Sequence, residues 1–415
     1  MVALAFGIVL AFGQAAPTEL ISQPNPSALE QKLREVRFDL RIENGRYTGS
    51  AALVLEDAVD RAQYVLIGED HITHEIPQFT ATMCDEMARH GLSAMAVEAG
   101  PQVAKFVSSS FGAPDRLVRM AALTHQYPDS VAFLNIREEN DLVEHCSKVA
   151  SHSNFHLWGL DQEFLGSAGW LLDQILATHL GPASRSAITH LKGEEQRDAA
   201  QAKETGDPSN LFLLSASDRA LSDVAALLQR EGSPAANALF DELVESHEIY
   251  LKNAQRSPES NSRRARLLKQ NFRRNLQATG DPQHQRVLLK FGDWHLYKGF
   301  NPLSQRDLGN YVAELADGQG STSLHICILG AKGMHRMYAG YDRPTKVERF
   351  VMDEDRDYRW LKPAMDNQLP NAWTLFDLRK LRFHALGADP NMERLIYGYD
   401  LLIVIPEVTP ADLIQ

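Results

Sequence analysis

Two stretches of this chain stop an apolar run at a glycine and follow it at once with ionisable side chains. In the first, Tyr64-Val65-Leu66-Ile67 ends at Gly68, and Glu69, Asp70, His71, His74 and Glu75 come directly after. In the second, Arg286-Val287-Leu288-Leu289-Lys290-Phe291 ends at Gly292, followed by Asp293-Trp294-His295. Short continuous apolar runs rich in β-branched and aromatic residues read as strands covered on both faces. An open α/β sheet made of such strands builds its sites at their carboxyl edge. The pattern therefore constrains the fold class and the location of the chemistry together.

The rest of the chain alternates in the same sense. Apolar positions 51, 52, 55, 58 and 59 mark a helix leading into the strand at 63–67. Thr73 reads as the cap of a following helix that tolerates Pro77 in its first turn and stops at Gly91. Leu92-Ser93-Ala94-Met95-Ala96-Val97-Glu98 is then a second strand. Strand, helix and strand form a βαβ unit, which predicts parallel neighbours and puts Glu98 at the same edge as Glu69 and His71. Helices are predicted at 101–110, 114–123 and 137–150, and a third strand at 155–161 ends in Asp161. Further strands are predicted at 287–291, 324–330, 373–378 and 400–406. Residues 17–50 read as a polar lead-in with one helix from Ser27 to Val36, and 331–370 as loops. The expectation is a three-layer α/β fold with a mainly parallel central sheet, a single domain over 17–415. A large helical insertion at about 166–280 would cap the sheet edge.

Residues 1–16 are apolar and end in Gln14-Ala15-Ala16, too short to span a bilayer but suited to a signal-peptide core. Nothing after residue 17 reads as a transmembrane segment, so a periplasmic or secreted protein is expected. A net charge of −12 argues against nucleic acid as a partner and leaves a small-molecule substrate. Cys84, Cys146 and Cys327 are odd in number and widely spaced, which predicts three small buried hydrophobes rather than a disulfide framework or a zinc motif. The sequence carries no signature of oligomeric state.

The proposed edge collects Glu69, Asp70, His71, His74, Glu75, Glu98, Asp161, Asp293 and His295. Two chemistries use such a set. A histidine oriented by a carboxylate can activate water while an arginine meets the developing negative charge. Alternatively, two imidazoles and one or two carboxylates (Glu69, His71, Glu98, His295) bind zinc, manganese or iron. The helical His-Glu-x-x-His of zinc proteases and the Gly-x-Ser-x-Gly elbow are both absent from the sequence. The basic stretch Ser262 to Arg274 reads as a helix, either with a solvated face or with arginines turned inward as anion clamps.

Gly68-Glu69-Asp70-His71, Glu75 four residues beyond the histidine, and Ala96-Val97-Glu98 closing a strand resemble the erythromycin esterase-like proteins and the wider group of ChaN-type haem-binding lipoproteins and TIKI/TraB metalloproteases. Gly159-Leu160-Asp161, Arg264 to Asn271, and Gly292-Asp293-Trp294-His295 match further short motifs in the same order. Two departures stand out. The first motif is one residue shorter than in the esterase branch, and Gly292 replaces the first histidine of the late motif. The resemblance implies His71 as general base or ligand, Glu75 and Glu98 orienting it or the water, Arg264 binding an anionic or carbonyl oxygen, and His295 completing the site. His74 and Asp161 would be substrate contacts. The implied function is an exported hydrolase of an ester or related bond. The alternatives are a metal-dependent hydrolase or peptidase of TIKI/TraB type, and a haem- or iron-binding protein of ChaN type with Tyr64 or Tyr297 as haem ligands.

Overall fold

The computed structural model describes residues 26–384 and 386–414, so the signal-peptide reading of 1–16 lies outside the described residues. The strands are β1 (Arg37–Glu43), β2 (Arg46–Thr48), β3 (Tyr64–Glu69), β4 (Leu92–Val97), β5 (His156–Gly159), β6 (Arg286–Gly292), β7 (Ser323–Gly330), β8 (Lys332–Met337), β9 (Lys346–Val351), β10 (Trp373–Asp377) and β11 (Leu401–Ile405). One sheet takes the order β2-β1-β10-β11-β7-β3-β6-β4-β5. From β11 to β5 all neighbours are parallel. β10, β1 and β2 add an antiparallel margin.

Successive side chains of a strand leave on opposite faces, so a strand with helices on both sides must be apolar throughout. Val65, Ile67, Met95 and Leu288 pack under the helices Ala51–Arg61, Glu75–Ala88, Pro101–Ser108 and Arg137–Val149. Tyr64, Leu66, Leu289 and Phe291 pack under Pro26–Glu35, Glu259–Ala278, Leu308–Gly318 and Pro390–Gly398. Helix, sheet and helix make the expected three layers. Between β5 and β6 the chain runs through helices from Ala168 to Ala278. Most of them close on an apolar cluster of their own, with Leu171, Leu191, Phe212, Leu228 and Phe240 at its centre. The last, Glu259–Ala278, instead lays Leu268, Phe272 and Leu276 on the sheet, and this carries the insertion back to the sheet edge. No helix among the described residues is long and apolar enough to cross a membrane.

The structure corrects five expectations. β3 and β4 are parallel but not adjacent, because β6 lies between them and pairs with both. A crossover helix is about 10 Å wide, two strand spacings, so the βαβ unit leaves room for one strand inside it. Residues 37–48 form a hairpin rather than a lead-in, turned at Asn44 and Gly45, both at positive φ (53° and 69°); the alternation of Phe38, Leu40 and Ile42 with charged residues was its signal. Within 331–370, β8 and β9 form a second hairpin, invisible in the periodicity because neither strand has a fully buried face. Thr73 does not cap the helix, which begins at Glu75 with no side-chain cap; Thr73 pairs with Pro410 instead. Cys84 and Cys146 form a disulfide with Cα atoms 5.3 Å apart, while Cys327 is free and buried. The two helices that carry the pair face one another only in the folded chain, which sequence spacing does not reveal.

Candidate active site

The neighbours β3, β6, β4 and β5 bring their carboxyl ends into one row. β3 delivers Glu69 and His71, β6 delivers Gly292 through His295, β4 delivers Glu98 and β5 delivers Asp161. Gly68 is required where β3 ends, because a Cβ there would fall on the Tyr399 hydroxyl, which donates to the Asp293 carbonyl.

Glu98 is the hub. Its Oε2 accepts the Gly292 N–H at 2.6 Å and faces His71 Nε2 at 3.3 Å. Its Oε1 accepts from Arg264 Nη2 at 2.6 Å and faces His295 Nε2 at 3.5 Å. Each imidazole is held at its other nitrogen by a second carboxylate: His71 Nδ1 lies 2.9 Å from Glu69 Oε1, and His295 Nδ1 lies 2.8 Å from Asp307 Oδ2. Arg264 also grips Asp161, with Nε 3.0 and 3.2 Å from its two oxygens and Nη2 bonded to Oδ2. Behind Glu69, the buried Lys290 ammonium sits 2.5 Å from Glu69 Oε1 and 2.6 Å from Glu139 Oε1. The chain of charge runs Glu139, Lys290, Glu69, His71, Glu98, then forks to Arg264 with Asp161 and to His295 with Asp307.

These contacts set the protonation states. Burial favours neutral Glu98, but the positive charges of His295, His71 and Arg264 hold its carboxyl well below the usual range. Burial disfavours the His71 imidazolium, yet Glu98 and Glu69 outweigh it and hold the ring up at about 10. For His295, burial and Arg264 oppose the charge while Asp307 and Glu98 prevail, so its pKa is also raised. Burial pushes Asp293 up to about 7, and the Asp70 carboxylate beside it adds to the rise. His71 has 21% of its side chain exposed and His295 and Arg264 each 14%, so these three cationic side chains reach solvent more than the carboxylates that hold them.

His71, Glu98, Asp161, Arg264 and His295 come together, with Glu69 behind His71. Two predicted residues do not join them. His74 is exposed and its Nδ1 rests 2.9 Å from Glu138. The chain has already turned into a helix at Glu75, whose carboxylate takes the N–H and hydroxyl of Thr409. Sequence reading missed Lys290, Glu139 and Asp307. Lys290 was detectable as a lone charge inside an apolar strand. Asp307 caps the helix Leu308–Gly318 through the Leu308 N–H, a structural role that masks its bond to His295. Glu139, on a helix of mixed polarity, left no mark.

A metal or haem does not fit this arrangement. Among the described residues no group of three or more His, Cys, Asp or Glu side chains has metal-holding spacing, and the lone pairs of Glu98 are turned to a guanidinium, a backbone N–H and two imidazoles. Tyr64 lies at the amino end of β3, roughly 16 Å along the strand from Glu69, with its hydroxyl between Gln63 and Gln319. Tyr297 is buried edge-on against Tyr399. Neither phenol can reach a haem iron at this edge.

No family model and no curated protein matches the chain. Solved structures share its fold. A variant of the erythromycin esterase EreC in its open conformation matches with a TM-score of 0.56 at 16% identity, over 88% of this chain and 95% of that one. A Bacillus cereus protein gives 0.59 at 15% identity over 94% and 100%, and a succinoglycan biosynthesis protein 0.58 at 15% over 94% and 99%.

Proposed function

We propose that this chain, built on an erythromycin esterase-like fold, is an exported hydrolase that cleaves an ester or related bond with water activated at His71, Glu98 and His295. One observation carries the reading. Two imidazoles, each held at Nδ1 by a buried carboxylate, turn their Nε2 atoms toward the same Glu98. That is how a histidine is oriented for proton transfer. In its neutral form, which keeps one ring N–H, His71 takes a proton from water at its other nitrogen, and Glu69 and Glu98 hold the imidazolium that results. The hydroxide oxygen bonds to the carbonyl carbon. The positive charges of Arg264 and His295 meet the oxyanion. The C–O bond to the leaving group then breaks, and His71 returns its proton to the departing oxygen. The likeness to an erythromycin esterase supports the reaction type. The Cys84–Cys146 disulfide supports an oxidising compartment, as does the apolar character of residues 1–16.

The carboxylates that hold His71 up at about 10 also set the pH dependence. The neutral imidazole is the minor form at neutral pH, so kcat/KM for a 4-nitrophenyl ester rises with pH until about 10. His71→Ala and His295→Ala lower kcat by about 100-fold or more with the thermal unfolding midpoint kept near wild type. A flat profile between pH 7 and 10, or a fully active His71→Ala, refutes the base assignment.

A further inference from the structure

After β11 the chain crosses the carboxyl edge of the sheet and binds two separate loops. On one side it pairs with the loop that carries His71: Thr73 bridges Pro410, the His74 N–H donates to Thr409 O at 2.9 Å, and the Ala411 N–H donates to Ile72 O at 3.3 Å. Glu75 accepts from the Thr409 N–H at 3.0 and 3.1 Å and from its hydroxyl at 2.7 Å. On the other side it pairs with the loop that carries Phe133. Ile136 bridges Leu413, the Arg137 N–H donates to Asp412 O at 2.7 Å, and the Ile414 N–H donates to Asn135 O at 3.0 Å. Glu138 accepts from the Asp412 N–H at 2.9 and 3.2 Å.

The two loops meet at the site. The Phe133 ring stacks on the His71 imidazole, centroids 4.2 Å apart and planes 25° from parallel. Each loop holds this contact through a bulky residue in the left-handed region, Ile72 at φ 68° and Phe133 at φ 59°. Such conformations are costly for β-branched and bulky side chains and persist only where their surroundings over-determine them. The tail's backbone contacts, anchored by the buried Val408, Ala411 and Ile414, begin at Ile72 itself on one loop and at Asn135, two residues beyond Phe133, on the other.

We propose that residues 408–414 are a staple that positions His71, with Glu75 and Glu138 as the positioning residues that fasten it. The staple holds Ile72 and Phe133 in their strained conformations, so that Phe133 covers one face of the imidazole and Nε2 is aimed at Glu98. This rests on His71 as the proton-transfer group. It also explains why an acid four residues beyond the histidine lies outside the cluster it was expected to join.

The test leaves the apolar anchors in place. Glu75→Ala/Glu138→Ala removes the side-chain acceptors that hold the tail to the two loops, while Glu75→Gln/Glu138→Gln keeps an acceptor oxygen at each. In protein labelled at histidine, the His71 ring proton is identified by its loss in His71→Ala, and its position without the aromatic neighbour by Phe133→Leu. The Ala pair moves the His71 resonance from its wild-type position toward that of Phe133→Leu, and the Gln pair keeps it near wild type. On an ester the wild type hydrolyses, the Ala pair lowers kcat about 10- to 100-fold with a smaller change in KM. A folded Ala pair whose His71 resonance has not moved overturns the staple. Should the pair not fold, Glu138→Ala alone decides by the same resonance. Absence of turnover in wild type would remove the hydrolase reading, and the resonance would still decide the staple.

Discussion

Replacing Lys290 with Met tests whether the buried charges behind the site form one unit. Lys290 is 4% exposed, and its ammonium lies 2.5 Å from Glu69 and 2.6 Å from Glu139, both themselves buried. At an effective dielectric near 20, each contact is worth roughly 6 kcal/mol. Dehydrating the ammonium offsets several kcal/mol of that sum, and the empirical range for breaking a buried pair is about 3–5 kcal/mol. Protonation limits the loss. Burial already raises the Glu139 pKa, with Lys290 as the opposing charge, so without Lys290 it rises further. A folded-state pKa above the unfolded value of about 4.3 means that the folded variant binds the extra proton. Stability is then retained below the unfolded pKa and lost as pH rises through the folded one. Lys290→Met is therefore destabilised little at pH 5 and by about 3–5 kcal/mol at pH 8. Adding Glu139→Gln removes one uncompensated charge and restores a substantial part at pH 8. Urea unfolding, followed by tryptophan fluorescence and far-ultraviolet circular dichroism at both pH values, reads all three proteins. A loss at pH 8 below about 1 kcal/mol, the scale of an exposed pair, or no recovery with Glu139→Gln, would refute the coupled unit.

Gly292→Ala separates activity from stability. Gly292 has φ −52° and ψ 140°, which any residue adopts, but its Cβ would sit 2.8 Å from His71 Nε2 and 3.3 Å from Glu98 Oε2. Ester hydrolysis falls about 100-fold with little change in the unfolding midpoint; an active variant would contradict the placement of His71. Cys84→Ala/Cys146→Ala opens a link of 62 residues, which chain entropy values at about 4 kcal/mol. A urea midpoint that scarcely moves would show that the unfolded chain gains little freedom from the cut.

Gly292 also shows how a motif departure becomes legible only in three dimensions. The resemblance led one to expect a histidine there, but His71 and Glu98 take the space that a side chain at Gly292 would need. The likeness between Gly68-to-His71 and Gly292-to-His295 was readable as a repeated strand ending, and it located two of the three polar side chains at the heart of the site. The third, Glu98, followed from strand polarity alone, even though the predicted pairing of β3 with β4 was wrong. Parallel strands share a carboxyl edge whichever strand lies between them.

Continuous apolar runs ending at glycines determined by themselves that this chain builds a mainly parallel sheet between helices, with its ionisable residues at one edge. Both are consequences of local pattern, since a run apolar on both faces can only be covered on both faces. What the tertiary structure decided is which charge meets which. β6 entering between β3 and β4 put Lys290 against Glu69, and the returning helix Glu259–Ala278 brought Arg264 to Glu98 and Asp161. The C-terminal segment drew Glu75 away from His71. Ion pairs form between residues far apart in sequence, and a charge's own neighbourhood in the chain holds no record of the partner that folding delivers.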